Sequence, residues 1–146
     1  MKTHYIQDAS AFQWALKQLE GELRLAIDLE FDKNRFAYGF NLCLMQIVSK
    51  DHCFLIDPLG NLEIAKIFPI LENPEVELVA YSFDEDMRLL HSLGCKPSAI
   101  FDTATAFTLL DYAPTSLGNA LLTLLGVALE KSKQTSNWMQ RPLSKK

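Results

Sequence analysis

Leu23-Arg24-Leu25-Ala26-Ile27-Asp28-Leu29-Glu30 (LRLAIDLE) is the stretch on which the fold turns. It is apolar at most positions and carries no turn residue, the pattern of a central β-strand. Residues i and i+2 of a strand share a face. Asp28 and Glu30 therefore point to the side that holds Ala26, and Leu25, Ile27 and Leu29 take the other. Two adjacent carboxylates on an apolar strand repel each other and lose water, which costs free energy unless a cation compensates. A divalent metal is the simplest compensation, and hard oxygen donors favour Mg²⁺ or Mn²⁺. The competing account ends the strand at Asp28 and leaves both acids in water.

Around this strand the chain reads as one α/β unit of 146 residues with no linker and no internal repeat. Thr3 to Gln7 predicts a short strand. Asp8 caps a helix through Phe12, Ala15, Leu16 and Leu19, ended near Gly21. Asp32 to Asn41 reads as a loop or hairpin connection. Leu42 to Ser49 and Cys53 to Ile56 follow as strands, with a turn at Asp57-Pro58-Leu59-Gly60. Leu62 to Leu71 predicts a helix broken or kinked at Pro69. Val76 to Ala80 is a strand. Three helices are then expected: Asp84 to Leu93, Asp102 to Leu110, and Leu117 to Leu125 with Thr115 or Ser116 as cap and Gly126 as stop. Early consecutive strands with helices around them predict a mixed α/β sheet, its first strands antiparallel and a later strand parallel, flanked by helices.

Composition narrows the function. The net charge is −4, from 14 Lys+Arg against 18 Asp+Glu. That argues against gripping nucleic acid by bulk positive charge, but not against a site where metal ions bring the positive charge. No apolar run approaches the length of a membrane span, and Met1 to Asp8 has no signal-peptide core. Cys43, Cys53 and Cys95 are three in number and form no C-x-x-C, so a reducing cytoplasm is expected.

Asp86 is a third unusual carboxylate. In the helix from Asp84, residues 86, 89, 90 and 93 form one stripe, Asp86-Leu89-Leu90-Leu93, so Asp86 heads the face that should be buried. Asp84 is the better cap and leaves Asp86 spare, as a candidate metal ligand; a favourable place in the helix dipole is the simpler explanation. Asp102-Thr103 reads first as a helix cap, with a site-adjacent role as the alternative. His4, His52 and His91 share no ligand spacing. Cys43 and Cys53 read as small core residues. Lys131, Lys133, Arg141, Lys145 and Lys146 make the C-terminal stretch basic, as a solvated tail or a phosphate-contacting edge.

Longer segments then carry a resemblance. Ala26-Ile27-Asp28-Leu29-Glu30-Phe31 resembles the first motif of the ribonuclease D-like 3′–5′ exonucleases, the DEDD group with a ribonuclease H-like fold. Asn34 to Tyr38, Leu42 to Ile47 and Leu55 to Leu59 continue it in order. Ser82 to Met87 resembles the second motif, with Asp86 in the place of its metal-binding aspartate. Phe101-Asp102-Thr103, Leu129 to Ser132 and Ser136 to Ser144 follow, so the match runs over almost the whole chain. Asn137 stands where an aspartate is common before the tryptophan.

The resemblance implies hydrolysis of phosphodiesters at single-stranded RNA or DNA 3′ ends, RNA favoured, with two Mg²⁺ or Mn²⁺ ions. Asp28 would bridge both ions, Glu30 would bind the first and Asp86 the second. Leu29 and Met45 would form the apolar surface against the terminal base. The family's third motif brings a fourth carboxylate in Tyr-x-x-x-Asp; it is expected just after Ser144 and does not occur before Lys146. The chain is therefore expected to be a single exonuclease domain cut before its last catalytic helix, and weak as a nuclease by itself. The alternatives are a non-catalytic ribonuclease H-like module that binds RNA or a protein, and a metal phosphohydrolase acting on small nucleotides.

Overall fold

The computed structural model describes residues 1–112, 116–129 and 136–143. Six strands form one sheet: β1 (Lys2–Ile6), β2 (Arg24–Lys33), β3 (Phe40–Ser49), β4 (His52–Ile56), β5 (Glu77–Ala80) and β6 (Ile100–Asp102), in the order β1-β4-β3-β2-β5-β6. β2, β3 and β4 are antiparallel neighbours. β1 joins β4 in parallel, and β5 and β6 extend the β2 side in parallel. The mixed sheet and its flanking helices match the expected class, with one correction: β2, β3 and β4 are antiparallel as expected, but the first strand runs parallel to its neighbour.

Alternation on β2 builds the core. Leu25, Ile27 and Leu29 are buried, whereas Ala26 and Asp28 are exposed. Helix α1 (Ala9–Leu19) starts where the Asp8 carboxylate accepts the Ser10 and Ala11 amides, at 3.0 and 2.9 Å. It presses Phe12, Ala15, Leu16 and Leu19 into the same core. Leu71 of α2 (Phe68–Leu71) joins that cluster, as do Leu89 and Leu90 of α3 (Asp84–Ser92). Helices α4 (Thr103–Leu109) and α5 (Leu117–Leu125) complete the chain order. Of their residues only Ala120 is buried.

Several boundaries differ from expectation for physical reasons. β2 continues to Lys33 and β3 starts at Phe40, so the connection is only residues 34–39. Asp32 looks like a loop residue but is buried in the strand, accepting loop amides. Pro69 does not kink a long helix. It lies in the first turn of α2, where its missing N–H costs nothing, after a 3₁₀ turn over Ile64–Ile67. Asp84 is the first helical residue of α3, not its cap. β6 has three residues and no alternation to read, and it was not expected. Ser116 caps α5 through the Asn119 amide at 3.2 Å; Thr115 lies outside the described residues, as do Glu130 to Lys133, Lys145 and Lys146. No described helix is long and apolar enough to cross a membrane.

Candidate active site

Asp28 and Glu30 leave β2 on its outward face, and the β2–β3 register sets their neighbours. Asp28 faces Gln46 and Glu30 faces Leu44. Gln46 Nε2 donates to Asp28 Oδ2 at 3.1 Å. A bulge follows at Glu30/Phe31 and turns the strand end. Asp86 reaches this face from the first turn of α3, where the backbone N–H of Leu29 donates to its Oδ1 at 3.1 Å. Residues 29 and 86 are 57 positions apart in sequence, and that bond, with the Lys33–Glu85 pair at 2.9 Å, joins strand to helix.

The three acids respond to one another. Burial first, then the charges of Asp28 and Asp86, push the Glu30 carboxyl up to about 7. Burial and then Asp28 push Asp86 up to about 6. Loss of water around its carboxylate also raises Asp28, though the residue as a whole stays exposed. Glu30 has no hydrogen-bond donor among the described residues. Three hard oxygen donors with unbalanced negative charge suit a divalent cation. Among the described residues, no three His, Cys, Asp or Glu side chains are gathered tightly enough to form a ready metal cage.

Leu29 and Met45 are placed otherwise than expected. They are paired across β2 and β3 and both belong to the hydrophobic core. Met45 has no exposed surface and so offers none to a base. Leu29 contributes its backbone amide to Asp86 instead. His4 and His52, read as unrelated, lie side by side on β1 and β4, with Nε2 and Nδ1 2.9 Å apart. Cys43 is buried, and burial pushes its thiol up to about 11, so it is no thiolate nucleophile near neutrality.

Two further groups support the site, the first of them legible in the sequence as a helix cap and the second not. Asp102 caps α4 through the Ala104 amide and also accepts the Ser82 and Phe83 amides at 3.0 and 2.9 Å. It thereby holds the start of α3, and with it Asp86. The second group is a clasp. Arg141 donates from Nε and Nη2 to both Asp57 oxygens, at 2.5 and 2.7 Å, and from Nη2 to the Cys43 carbonyl at 2.7 Å. Its Nη1 donates to the carbonyls of Trp138 and Gln140. The Tyr5 hydroxyl completes the Asp57 carboxylate. Burial alone would raise Asp57, but Arg141 and Tyr5 hold it below the usual carboxylate range. Only the co-occurrence of Asp57 and Arg141 hinted at this pair, because nothing local joins residues so far apart.

The clasp lays residues 136–143 beside the carboxylates and borders three cavities, two of which reach the site. One, of about 310 Å³, has Glu30, Lys33, Arg35, Phe36 and Trp138 in its walls. The other, of about 300 Å³, is lined by Leu44, Gln46, Leu55, Trp138 and Leu143 among others. Trp138 borders both. Glu30 opens on the first, and the Gln46 that holds Asp28 opens on the second.

Residues 3–146 match the family model described as 3′-5′ exonuclease. The chain is 30% identical over 132 residues to ribonuclease D of Gluconacetobacter diazotrophicus, covering 88% of this chain and 33% of that protein. It is 31% identical over 144 residues to DNA polymerase I of Aquifex aeolicus, covering 99% of this chain and 24% of that one. Among solved structures, Escherichia coli RNase D superposes with a TM-score of 0.89 at 26% identity, over 99% of this chain and 39% of that one. The catalytic core of RRP6 from Trypanosoma brucei gives 0.89 at 28%, over 98% and 40%. The chain thus spans about a third or less of the length of these curated relatives.

Proposed function

Because the chain belongs to the 3′-5′ exonuclease family, a family of nuclease hydrolases, we propose that it hydrolyses phosphodiesters at the 3′ end of single-stranded nucleic acid. RNA is favoured over DNA, in line with the E. coli relative described as an exoribonuclease. The observation that carries this reading is the meeting of Asp28, Glu30 and Asp86 at one strand end, where each raises or is raised by another's charge.

Asp28 would hold both of two Mg²⁺ or Mn²⁺ ions, Glu30 the first and Asp86 the second. Bound there, the ions supply a water nucleophile near neutral pH and stabilise the leaving 3′-oxygen. The chain's own residues prepare the site. Gln46 fixes the Asp28 carboxylate, and the Leu29 amide fixes Asp86 against the strand. Glu30, unheld by any described donor, is free to orient water. We read the 146 residues as belonging to one exonuclease domain.

A thermal melt with and without Mn²⁺ tests the reading. Ligand that binds only the folded state raises its stability by mass action, by about 2.7 kcal/mol at a hundredfold excess over Kd. The wild-type Tm should rise by several degrees and that of Asp28→Asn should stay put. No rise in the wild type would sink the metal site and favour the non-catalytic module. Cleavage of mononucleotides but not of a 3′-labelled oligonucleotide would favour the small-substrate phosphohydrolase.

A further inference from the structure

Helix α3 carries Asp86 in its first turn, yet its own sequence gives that turn no cap. Phe83 stands at the N-cap position, where a phenyl ring can accept no amide, and the ring is buried in the core. Asp102, 19 residues later, supplies what is missing. Its Oδ2 accepts the Phe83 amide at 2.9 Å, and its Oδ1 accepts the Ser82 amide at 3.0 Å. The same Oδ1 caps α4 by accepting the Ala104 amide at 2.8 Å.

Thr103 adds a second grip. Its hydroxyl donates to the carbonyl of Ala80, the last residue of β5, at 2.7 Å. Residues 102 and 103 thus hold both ends of the short connection from β5 to α3. Ser82, inside that connection, takes φ 55°, in the left-handed region that serine rarely adopts. Such a backbone persists only where its surroundings fix it. Helix α4 buries no residue, so on that side the fixing is done by hydrogen bonds and not by packing.

We propose that Asp102 is a positioning residue for the carboxylate site: by holding the Phe83 amide it sets where Asp86 stands against β2, and so how tightly a divalent cation is held there. This role rests on the nuclease reading and adds a residue outside the three acids. The path is short. The Phe83 carbonyl accepts the Met87 amide at 2.9 Å, closing the first turn of α3 around Asp86. Asp86 in turn accepts the Leu29 amide at 3.1 Å. A shift at Phe83 therefore carries Asp86 with it.

The two oxygens divide the work, which separates positioning from capping. Asparagine caps helices about as well as aspartate. Asp102→Asn keeps an oxygen for Ser82 and Ala104 and turns its NH₂ on the Phe83 amide, where two donors face each other. The reverse flip would set the NH₂ against two amides instead of one. The α4 cap survives and the hold on α3 is lost.

The test is Mn²⁺ binding to the whole 146-residue chain, read from the electron paramagnetic resonance of the free ion. Asp102→Asn should weaken binding about tenfold. Asp102→Ser should do the same, because one short hydroxyl can cap α4 but cannot also span to Phe83. Asp8→Ala is the control: it removes the α1 cap and lowers the melting temperature, and Mn²⁺ affinity should stay unchanged. In an Asp86→Asn background, Asp102→Asn should cost no further affinity, since it acts through that carboxylate. An equal loss with and without Asp86 would overturn the proposal, as would variants that bind Mn²⁺ like the wild type; the nuclease reading then stands. Free exchange of the Phe83 amide in the wild type, followed by NMR, would overturn it without any variant. If the wild type takes up no Mn²⁺, both fall.

Discussion

Glu30 is the carboxylate with the least support, and its titration should be visible in stability. Its folded value near 7 lies above its ordinary 4.5. The folded state therefore holds the proton more tightly than the unfolded one, and metal-free stability falls as pH rises from about 4.5 to about 7. Glu30→Gln should remove most of that fall and melt higher than wild type at pH 8 without metal. A difference of ~1–2 kcal/mol is expected once solvent screening of a half-exposed group is allowed for. Equal melting temperatures at pH 8 would contradict the charge crowding. Metal affinity should run the other way and rise with pH, because the ion displaces that proton. The alternation rule that set Asp28 and Glu30 on one face had already put Leu29 on the other. Its expected contact with substrate came from family likeness and conflicted with the strand's own periodicity. Met45, paired with Leu29 in the core, failed with it.

At the scale of elements, the clasp on residues 136–143 decides how the site is walled. Asp57 is 3% exposed, and its charge is balanced by Arg141 with help from Tyr5. Arg141→Ala would strand a buried carboxylate, at a cost of about 3 kcal/mol. A denaturation midpoint lowered with an unchanged slope would report it. Replacing both partners, as Arg141→Met with Asp57→Leu, should recover much of the loss, because no charge is then left unpaired. A single variant as stable as wild type would show that the clasp does not hold the segment. Elements with strong local signals were legible. The α1 cap, the β2 to β4 strands and the α5 boundaries all followed from local pattern. β6 and the long reach of Asp102 and Arg141 did not, because their reasons lie in partners distant along the chain.

For the molecule as a whole, stability should be uneven. β2 and β3 lie inside the sheet, each with one face buried in the core, whereas α4 and α5 carry Leu109, Leu122 and Leu125 mostly in water. Amide exchange followed by mass spectrometry should show α5 exchanging far faster than β2 and β3. Equal protection would mean that something holds the helix that its burial does not reveal. The sheet class and the meeting of Asp28 with Asp86 were both readable in advance, because helical and strand periodicities each fix a face. The fitted wall of residues 136–143 was not, since no period describes an irregular segment. That wall also has a birth order. Asp57 waits for Arg141, 84 residues later. At ribosomal speeds that interval is roughly 4 to 17 s. Throughout it, a newly made chain shows a bare carboxylate and an uncovered sheet face to whatever chaperone or hydrolytic partner is near. Residues made much later thus close the face around Asp57, and a translational pause before codon 141 would lengthen that vulnerable time.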